Sequence, residues 1–423
     1  MNQFELRYGD KTVPVDLSAA KSVTVLKEKE IAAIEDLNAS FLQAVEQDCI
    51  NSRPLKELVL PGDQVTIVIS DITRFWMRQD KICTLLVDYL HNLGIAYHDM
   101  AVLVALGTHR PQSVEELKQL AGEETYAKVQ VVNHDCMAEN LVDVGVTPMG
   151  TRVLVNPLAV GRKVILIGGT VHHLMAGFGG GRKSILPGIC AKSTINQNHI
   201  HSLSPDQPRS NPLIGMGRLE ENPIDRDMND AAALVNPVFG INIVVNSQSR
   251  HCRLLCGHWK SAWEESCRVV QQVMGLPIPQ KADMVVVSCG GYPKDINLYQ
   301  AVKSLLNAAQ AVKDGGQIVF LAECREGGGA PAFFSWIESL KKGSLDADLR
   351  ADFSIAGYIF YACCEVIARS QVLMLTQIDP QTAAQMGMQA VCTPGELAAK
   401  LDAAGKDVYV MPSGGSVVPF VME

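Results

Sequence analysis

Residues 178–184, FGGGRKS, combine consecutive glycines with a lysine, a pattern that can surround an anion. Clustered glycines let backbone N–H groups approach a phosphate closely. The segment is not a Walker A loop, because Arg182 stands where that motif needs its second glycine. A G-x-G-x-x-G fingerprint directly after a strand is also absent. We interpret the segment as an anion-binding loop rather than a flexible linker.

Histidines cluster on both sides of this loop. Four of the ten in the chain are His172, His173, His199 and His201. Histidine is the natural general acid or base near neutral pH and the commonest metal ligand. A single histidine is usually a satisfied core or surface residue, but pairs beside a glycine loop indicate a site. Residues two apart on a helix face different ways, so at most one of His199 and His201 should join any given site.

Polar side chains also follow two predicted strands. The sequence DITR (71–74) comes after one strand, and GTHRP (107–111) comes after the next. In open α/β sheets, ligands bind outside the carboxyl ends of the strands. We therefore expect Asp71, Arg74 and His109 to lie on one rim, together with the paired histidines. Taken singly, Asp71 is equally compatible with a helix cap and Arg74 with a solvated side chain.

The elements that must position these residues alternate between strand and helix. Short apolar runs separated by helical periods predict an α/β fold with largely parallel sheets covered by helices. We expect two α/β domains: an N-terminal domain over 1–275 with the glycine-rich loop, and a C-terminal domain over 280–412. The tail, 413–423, is expected to pack back on the first domain, and the active site to lie in the cleft between the domains.

Composition excludes several classes of protein. Hydrophobic residues make up 47% of the 423 residues, which is enough for sizeable cores and rules out disorder over most of the chain. The net charge of −8 comes from 37 basic and 45 acidic residues, and it argues against a nucleic-acid partner. No apolar run approaches a membrane span, and the N-terminus does not resemble a signal peptide. We expect a soluble cytoplasmic protein with no membrane partner.

The twelve cysteines are scattered and mostly lie in apolar runs, which favours a reducing compartment over a disulfide framework. One cluster, formed by His251, Cys252, Cys256 and His258, has some likeness to a metal site. Zinc spacing normally pairs a C-x2–4-C half with a distant second half, and that half is missing here. We predict a plain hairpin at 239–256 instead.

Taken in order, DITR, GTHRP, HHLMAGFGGGRKSILPGI and NQNH, with NLYQAVK at 297–303, resemble the nickel-pincer-nucleotide-dependent lactate racemases. The resemblance runs over essentially the whole chain. It implies a racemase or epimerase that inverts C2 of a 2-hydroxy acid by reversible hydride transfer through a 2-keto acid. The implied cofactor is the nickel-pincer nucleotide, a pyridinium-3-thioamide-5-thiocarboxylic acid mononucleotide carrying Ni(II). Proteins that make or deliver this cofactor are implied as partners.

The resemblance also implies residue roles. Lys183 would hold the cofactor covalently, His199 would supply the remaining nickel ligand, and His109 and His173 would be the paired acid and base. The other implied cofactor contacts are Asp71, Thr73, Gly179, Gly180 and Gly181, and the implied substrate contacts are Arg74, Tyr299, Gln300 and Lys303. These roles agree with simple chemistry. A square-planar Ni(II) needs four donors, and a cofactor that supplies three needs one histidine.

Two alternatives and one departure stay open. A nicotinamide-dependent 2-hydroxy acid oxidoreductase would need the dinucleotide fingerprint that is missing. A non-catalytic nickel-cofactor carrier would need Lys183 and His199 but neither His109 nor His173. The departure is Phe75, which replaces the proline that usually follows the arginine of DxTRP. Proline fixes φ and has no N–H, so the change leaves the identity of the 2-hydroxy acid open.

Overall fold

The computed structural model describes residues 2–329 and 332–422, and these form two compact units. The glycine-loop unit comprises Glu30–His201 and Pro212–Gln271. The C-terminal unit comprises Met1–Lys29, Ser202–Asn211 and Gln272–Glu423. Both units are α/β, as the apolar periodicity predicts. No helix among the described residues has the length and apolar character that crossing a bilayer requires.

The strands of the described residues are numbered here in chain order. They are β1 (Gln3–Tyr8), β2 (Lys11–Asp16), β3 (Ser22–Val25), β4 (Val65–Ser70), β5 (Met100–Ala105), β6 (Gln130–Asn133), β7 (Val142–Val146), β8 (Arg152–Val155), β9 (Lys163–Gly169), β10 (His172–His173), β11 (Gly177–Phe178), β12 (Phe239–Val245), β13 (His251–Gly257), β14 (Gly275–Ile278), β15 (Ala282–Ser288), β16 (Val312–Leu321), β17 (Gln371–Leu375), β18 (Gln389–Val391), β19 (Asp407–Met411) and β20 (Val418–Val421).

The α-helices of the same residues are numbered in the same way. They are α1 (Leu37–Glu46), α2 (Leu55–Leu58), α3 (Gln79–Asn92), α4 (Val114–Ala121), α5 (Glu123–Lys128), α6 (Lys192–His199), α7 (Pro223–Val235), α8 (Trp259–Met274), α9 (Leu298–Ala311), α10 (Trp336–Lys342), α11 (Leu345–Ala351), α12 (Ile355–Arg369), α13 (Pro380–Gln385) and α14 (Pro394–Lys400).

The glycine-loop unit is built on a six-stranded sheet with the order β13-β12-β9-β4-β5-β6. All neighbouring pairs are parallel except β12 with β13, which form the predicted antiparallel hairpin. The central strand β4 has the sequence VTIVIS, and its first five residues are buried. A strand covered on both faces needs such a continuous apolar run. Helix α4 begins at a capping box between Ser113 and Glu116, also as predicted.

The C-terminal unit contains a parallel six-stranded sheet with the order β18-β17-β16-β15-β19-β3. Its edge strand β3 comes from the start of the chain and pairs with β19, with Ser22 opposite Asp407. Strand β20, near the other end of the chain, pairs with β14. The structure therefore departs from the predicted boundaries: residues 1–29 and the tail belong to the C-terminal unit, because their backbone groups pair with strands there.

Candidate active site

The end of the central sheet brings Asp71 and His109 together. Strands β4 and β5 are parallel neighbours and end level with each other, so the residues that follow them share one edge. Asp71 caps the 3-10 turn after β4 and accepts a hydrogen bond from the backbone N–H of Thr73 (2.9 Å). His109 lies in the turn after β5, and its Nδ1 is hydrogen bonded to the other carboxylate oxygen of Asp71. Asp71 and His109 therefore share one rim of the sheet, as predicted, and the hydrogen bond between them is an additional finding.

This contact decides which nitrogen of His109 carries the proton. Burial alone raises the pKa of Asp71, but hydrogen bonds from His109 and Thr73 and the charges of His109 and Arg74 bring the pKa below its usual value. An ionised carboxylate can only accept, so Nδ1 of His109 donates, and in the neutral form of the ring Nε2 then keeps a free lone pair. The Asp71 side chain is 5% exposed and that of His109 is 47% exposed. Nε2 of His109 is thus suited to take a proton from a ligand.

The glycine loop follows β9 and leads into the 3-10 turn Gly181–Ser184. Gly180 and Gly181 have φ values of 74° and 52°, where a side chain would be strained. The N–H of Gly179 donates to Val171 O (2.7 Å), so this donor is not available to an anion. Burial, with the positive charges of Arg182 and Arg74, lowers the pKa of Lys183 to about 7. A large share of the Lys183 amine is therefore uncharged, and nucleophilic, near neutral pH.

His199 lies at the end of α6 and is buried. Its Nδ1 donates to Ile195 O (3.0 Å), because a carbonyl oxygen can only accept, and Nε2 therefore keeps its lone pair. Burial and the neighbouring charge of Lys183 lower the pKa of His199 to about 3. A neutral imidazole with a free Nε2 and an oriented Nδ1–H is the form that binds metals. His201 lies beyond the end of this helix, in the 3-10 turn Ile200–Ser202.

Nδ1 of His173 accepts hydrogen bonds, whereas Nδ1 of His199 donates one. The donors to His173 are the backbone N–H groups of Met175 and Ala176, both at 3.2 Å. The neutral ring must then carry its proton on Nε2. Burial lowers the pKa of His173 well below its usual value, and the charges of Lys183, Arg74, His199 and Arg182 lower it further. These electrostatic contributions indicate that His173 lies in the neighbourhood of Lys183 and His199.

The adjacent His172 has different surroundings. Its Nε2 is hydrogen bonded to Gln271 Oε1 (2.8 Å), and its ring lies 4.8 Å from that of Phe178, measured between centroids. Burial lowers its pKa as well. Because its ring packs on Phe178 and its Nε2 is engaged by an amide, His172 is explained as a structural residue. Of the two histidines, His173 is the one whose pKa is lowered by the charge of Lys183.

The other predicted residues are placed as follows. Arg74 donates from Nη1 to Thr73 Oγ1 (3.1 Å). The Phe75 ring packs against the hydrophobic core of the glycine-loop unit and lies 5.3 Å from Arg78 Cζ. In the C-terminal unit, Tyr299, Gln300 and Lys303 lie in the first two turns of α9, and Lys303 Nζ donates to Gln300 Oε1 (2.8 Å).

Two residues that contact the glycine loop were not expected from the sequence. Asp225 on α7 pairs with Arg182 Nε (2.8 Å), and Trp263 on α8 donates from its indole to Gly179 O (2.8 Å). Neither lies in a recognisable motif, and Trp263 is 84 positions from Gly179. The only signal in the sequence was Arg182 itself, an arginine inside an otherwise small-residue loop.

Both halves of the chain match known proteins of the same family. The family models described as Lactate racemase N-terminal domain and Lactate racemase C-terminal domain match residues 8–210 and 278–419. A lactate racemase of Thermoanaerobacterium thermosaccharolyticum is 33% identical over 346 residues, which are 81% of this chain and 79% of that protein. A lactate racemase of Lactiplantibacillus plantarum is 32% identical over 287 residues, 67% of this chain and 66% of that one.

Solved structures extend the agreement to the fold. The structure of the lactate racemase apoprotein from T. thermosaccharolyticum has a TM-score of 0.87 and 29% identity, with all of both chains covered. A Thermotoga maritima protein has a TM-score of 0.65 at 18% identity, with 94% of this chain and 100% of that chain covered, and shows the same fold. The class of the protein follows: it is an isomerase that acts as a racemase. Within that class, the chain belongs to the lactate racemase family.

Proposed function

We propose that the protein racemises lactate or a larger 2-hydroxy acid by removing hydrogen from C2 and returning it to the opposite face through a 2-keto acid. The observation that carries the proposal is the pair of histidines in opposite tautomers. Nε2 of His109 has a free lone pair, and Nε2 of His173 carries a proton. The family membership supports the reaction class, and the relatives named lactate racemase support lactate as the first substrate to test.

The side chains present fit the nickel-pincer nucleotide. Among the described residues, no group of three or more His, Cys, Asp or Glu is arranged to hold a metal ion. A metal at His199 Nε2 would therefore take its other donors from the cofactor, as a three-donor pincer provides. The uncharged amine of Lys183 suits covalent attachment. When bound, this group would supply reversible hydride acceptance. Proteins that make or deliver the nucleotide are the corresponding partners, and the cytoplasm is the proposed location.

The protein's own residues would handle the hydroxyl proton. Nε2 of His109 would accept it from one enantiomer, and the imidazolium formed would be stabilised by the Asp71 carboxylate. Nε2–H of His173 would donate a hydrogen bond to the oxygen of the 2-keto acid, because giving up this proton from the neutral ring would leave an imidazolate. The proton taken up by His109 would return to the oxygen as the alcohol forms again, in either direction. Two groups would contact the oxygen because the two enantiomers point the hydroxyl in different directions from the same C2.

Asp71 is better suited to orienting His109 than to binding the cofactor directly, because both of its carboxylate oxygens already accept hydrogen bonds within the protein. Arg74, which is partly exposed beside Thr73, is the proposed carboxylate contact in the glycine-loop unit. A bidentate arginine matches the geometry of a carboxylate. Tyr299, Gln300 and Lys303 stay proposed substrate contacts on the strength of the resemblance.

The test uses single enantiomers. Cofactor-loaded protein is incubated with pure L- or D-lactate and, separately, with larger 2-hydroxy acids, and loss of optical purity is followed by chiral chromatography. Racemisation of at least one acid from both sides supports the proposal. Net formation of keto acid with consumption of added nicotinamide cofactor would instead identify an oxidoreductase. Cofactor retention without turnover of any acid would indicate a carrier.

A further inference from the structure

We infer that Arg182, which contacts Asp225 and Trp263, is a positioning residue for the Gly179–Lys183 loop. By fixing this loop, Arg182 places the Lys183 amine for acylation before any cofactor is bound. The inference rests on the proposed attachment at Lys183, and it adds three residues to which no role has been given. We call the three side chains of Arg182, Asp225 and Trp263 the loop clamp.

The guanidinium of Arg182 is fully buried and hydrogen bonded on every side. Nε donates to Asp225 Oδ1 (2.8 Å), Nη1 donates to Phe178 O (2.8 Å), and Nη2 donates to Ala176 O (2.6 Å). Two of these acceptors are backbone carbonyls of the loop entrance. Arg182 therefore ties the chain just before the glycines to α7 through a charge-assisted pair.

The third side chain of the loop clamp, Trp263, contacts both Arg182 and the glycine loop. Its ring centroid lies 3.7 Å from Arg182 Cζ, a stacked cation–π contact, and its indole Nε1 donates to Gly179 O (2.8 Å). A Cβ built on Gly181 would lie 2.4 Å from the Trp263 ring, and Gly181 has a φ of 52°. The glycine is thus required for the close approach of the indole, and the indole in turn fixes the turn that contains Lys183.

The consequence for Lys183 follows from its place in the chain. The backbone of Lys183 closes the turn by donating to Gly180 O (3.1 Å), so its Cα is fixed by the same turn that the loop clamp holds. The neighbouring Arg182 charge cannot move away, because its side chain is anchored in the interior. Its proximity also contributes to the lowered pKa of Lys183. The apoprotein is therefore preorganised for attachment, which reduces the ordering cost when the cofactor binds.

The experiment measures acetylation of the apoprotein by the N-hydroxysuccinimide ester of acetic acid. In this reaction the Lys183 Nζ attacks the acyl carbon, the C–O bond to N-hydroxysuccinimide breaks, and the amine loses one proton to solvent. Peptide mass spectrometry gives the rate at Lys183 relative to the exposed Lys192 in the same unit. Rates from pH 6 to 9 separate the plateau rate from the midpoint of the pH profile.

Arg182→Lys is the informative variant, because it keeps a positive charge but loses the fork that contacts three acceptors. We expect the plateau rate at Lys183 to fall about tenfold, the ratio expected for losing one charge-assisted hydrogen bond, with the rate at Lys192 unchanged. Trp263→Phe, which removes the indole N–H and reduces the ring stacked on Arg182, should slow acetylation of Lys183 in the same direction. Trp259→Phe is the matched control on the same helix, since Trp259 packs against Gly240 rather than the loop.

Equal Lys183 rates in the wild type, Arg182→Lys and Trp263→Phe would overturn the inference. If Arg182→Lys does not fold, shown by loss of a cooperative thermal transition, Trp263→Phe decides alone. A reduced rate in Trp259→Phe as large as in Trp263→Phe would also overturn it, because the effect would then be general destabilisation of α8. The probe needs neither cofactor nor racemase activity, so a negative racemisation assay with the expected acetylation pattern would remove the proposed function and leave the loop clamp standing.

Discussion

Replacing Asp71 by asparagine should reverse the tautomer of His109. In the native protein one carboxylate oxygen accepts from the Thr73 N–H and the other accepts from His109 Nδ1. Asparagine has one oxygen and one NH2 group, and the Thr73 N–H keeps the oxygen. The NH2 group then faces His109 and donates, so Nδ1 must accept and the proton moves to Nε2. Both His109 and His173 would then present Nε2–H, and no base would be left for the hydroxyl proton.

The expected loss of turnover is about 10²–10⁴-fold, the range for removal of a general base. Asp71→Ala should retain more activity than Asp71→Asn. Alanine offers no donor to Nδ1, so part of the His109 population keeps a free Nε2. Alanine also removes the cap of the 3-10 turn, which costs about 1 kcal/mol of stability. A mere loss of charge or packing would give the opposite order, with alanine worse than asparagine.

Initial rates are measured from each pure lactate enantiomer with cofactor-loaded protein, and intact mass checks that both variants carry the same adduct. Circular dichroism and thermal unfolding confirm that the fold is kept. Thr73→Val is a useful companion, since it leaves the backbone N–H bond to Asp71 in place and removes only the two bonds of the hydroxyl, one to Asp71 and one from Arg74. Asparagine activity within threefold of the wild type would refute the tautomer argument, and so would alanine falling below asparagine.

Further expectations concern the glycine loop, the metal and the substrate. Lys183→Ala should remove the covalent adduct seen by intact mass, and attachment to the wild type should accelerate as pH rises through about 7, because the attacking amine must lose its proton. A pH-independent attachment rate between 6 and 8 would contradict this. His199→Ala should lose nickel on gel filtration, measured by metal analysis, whereas His201→Ala should keep most of it; equal losses would reject His199 as the ligand. Lys303→Ala should raise KM for the 2-hydroxy acid and leave adduct formation intact; a missing adduct would make Lys303 a structural residue.

Local rules predicted part of the site correctly. The meeting of Asp71 and His109 follows from two apolar strands in a parallel sheet, because their carboxyl ends share an edge. The capping box at Ser113 and the hairpin at 239–256 depend on contacts between residues close in sequence, and both are present. The prediction that His199 and His201 share one helix is wrong, because the helix ends at His199 and His201 lies in the 3-10 turn that follows.

The remaining features depend on contacts between distant residues. The tautomer of His173 is fixed by two backbone N–H groups in an irregular turn, for which the sequence has no periodic signal. Trp263 reaches Gly179 because two helices and a hairpin return the chain to the loop. Strand β3 joins the C-terminal sheet at β19, across almost the whole chain. Pairings of this kind are selected by burial and edge availability, and a single sequence does not reveal them.

The pairing of β3 with β19 has a consequence for the order in which the chain can fold. The glycine-loop unit is complete once Gln271 has been synthesised, whereas the first 29 residues wait for a strand that begins at Asp407. During synthesis the N-terminal hairpin β1–β2 and strand β3 therefore belong to a unit that does not yet exist, and their backbone edges are open to other chains. The open edge of β3 is covered only when β19 has been made and the two strands have paired.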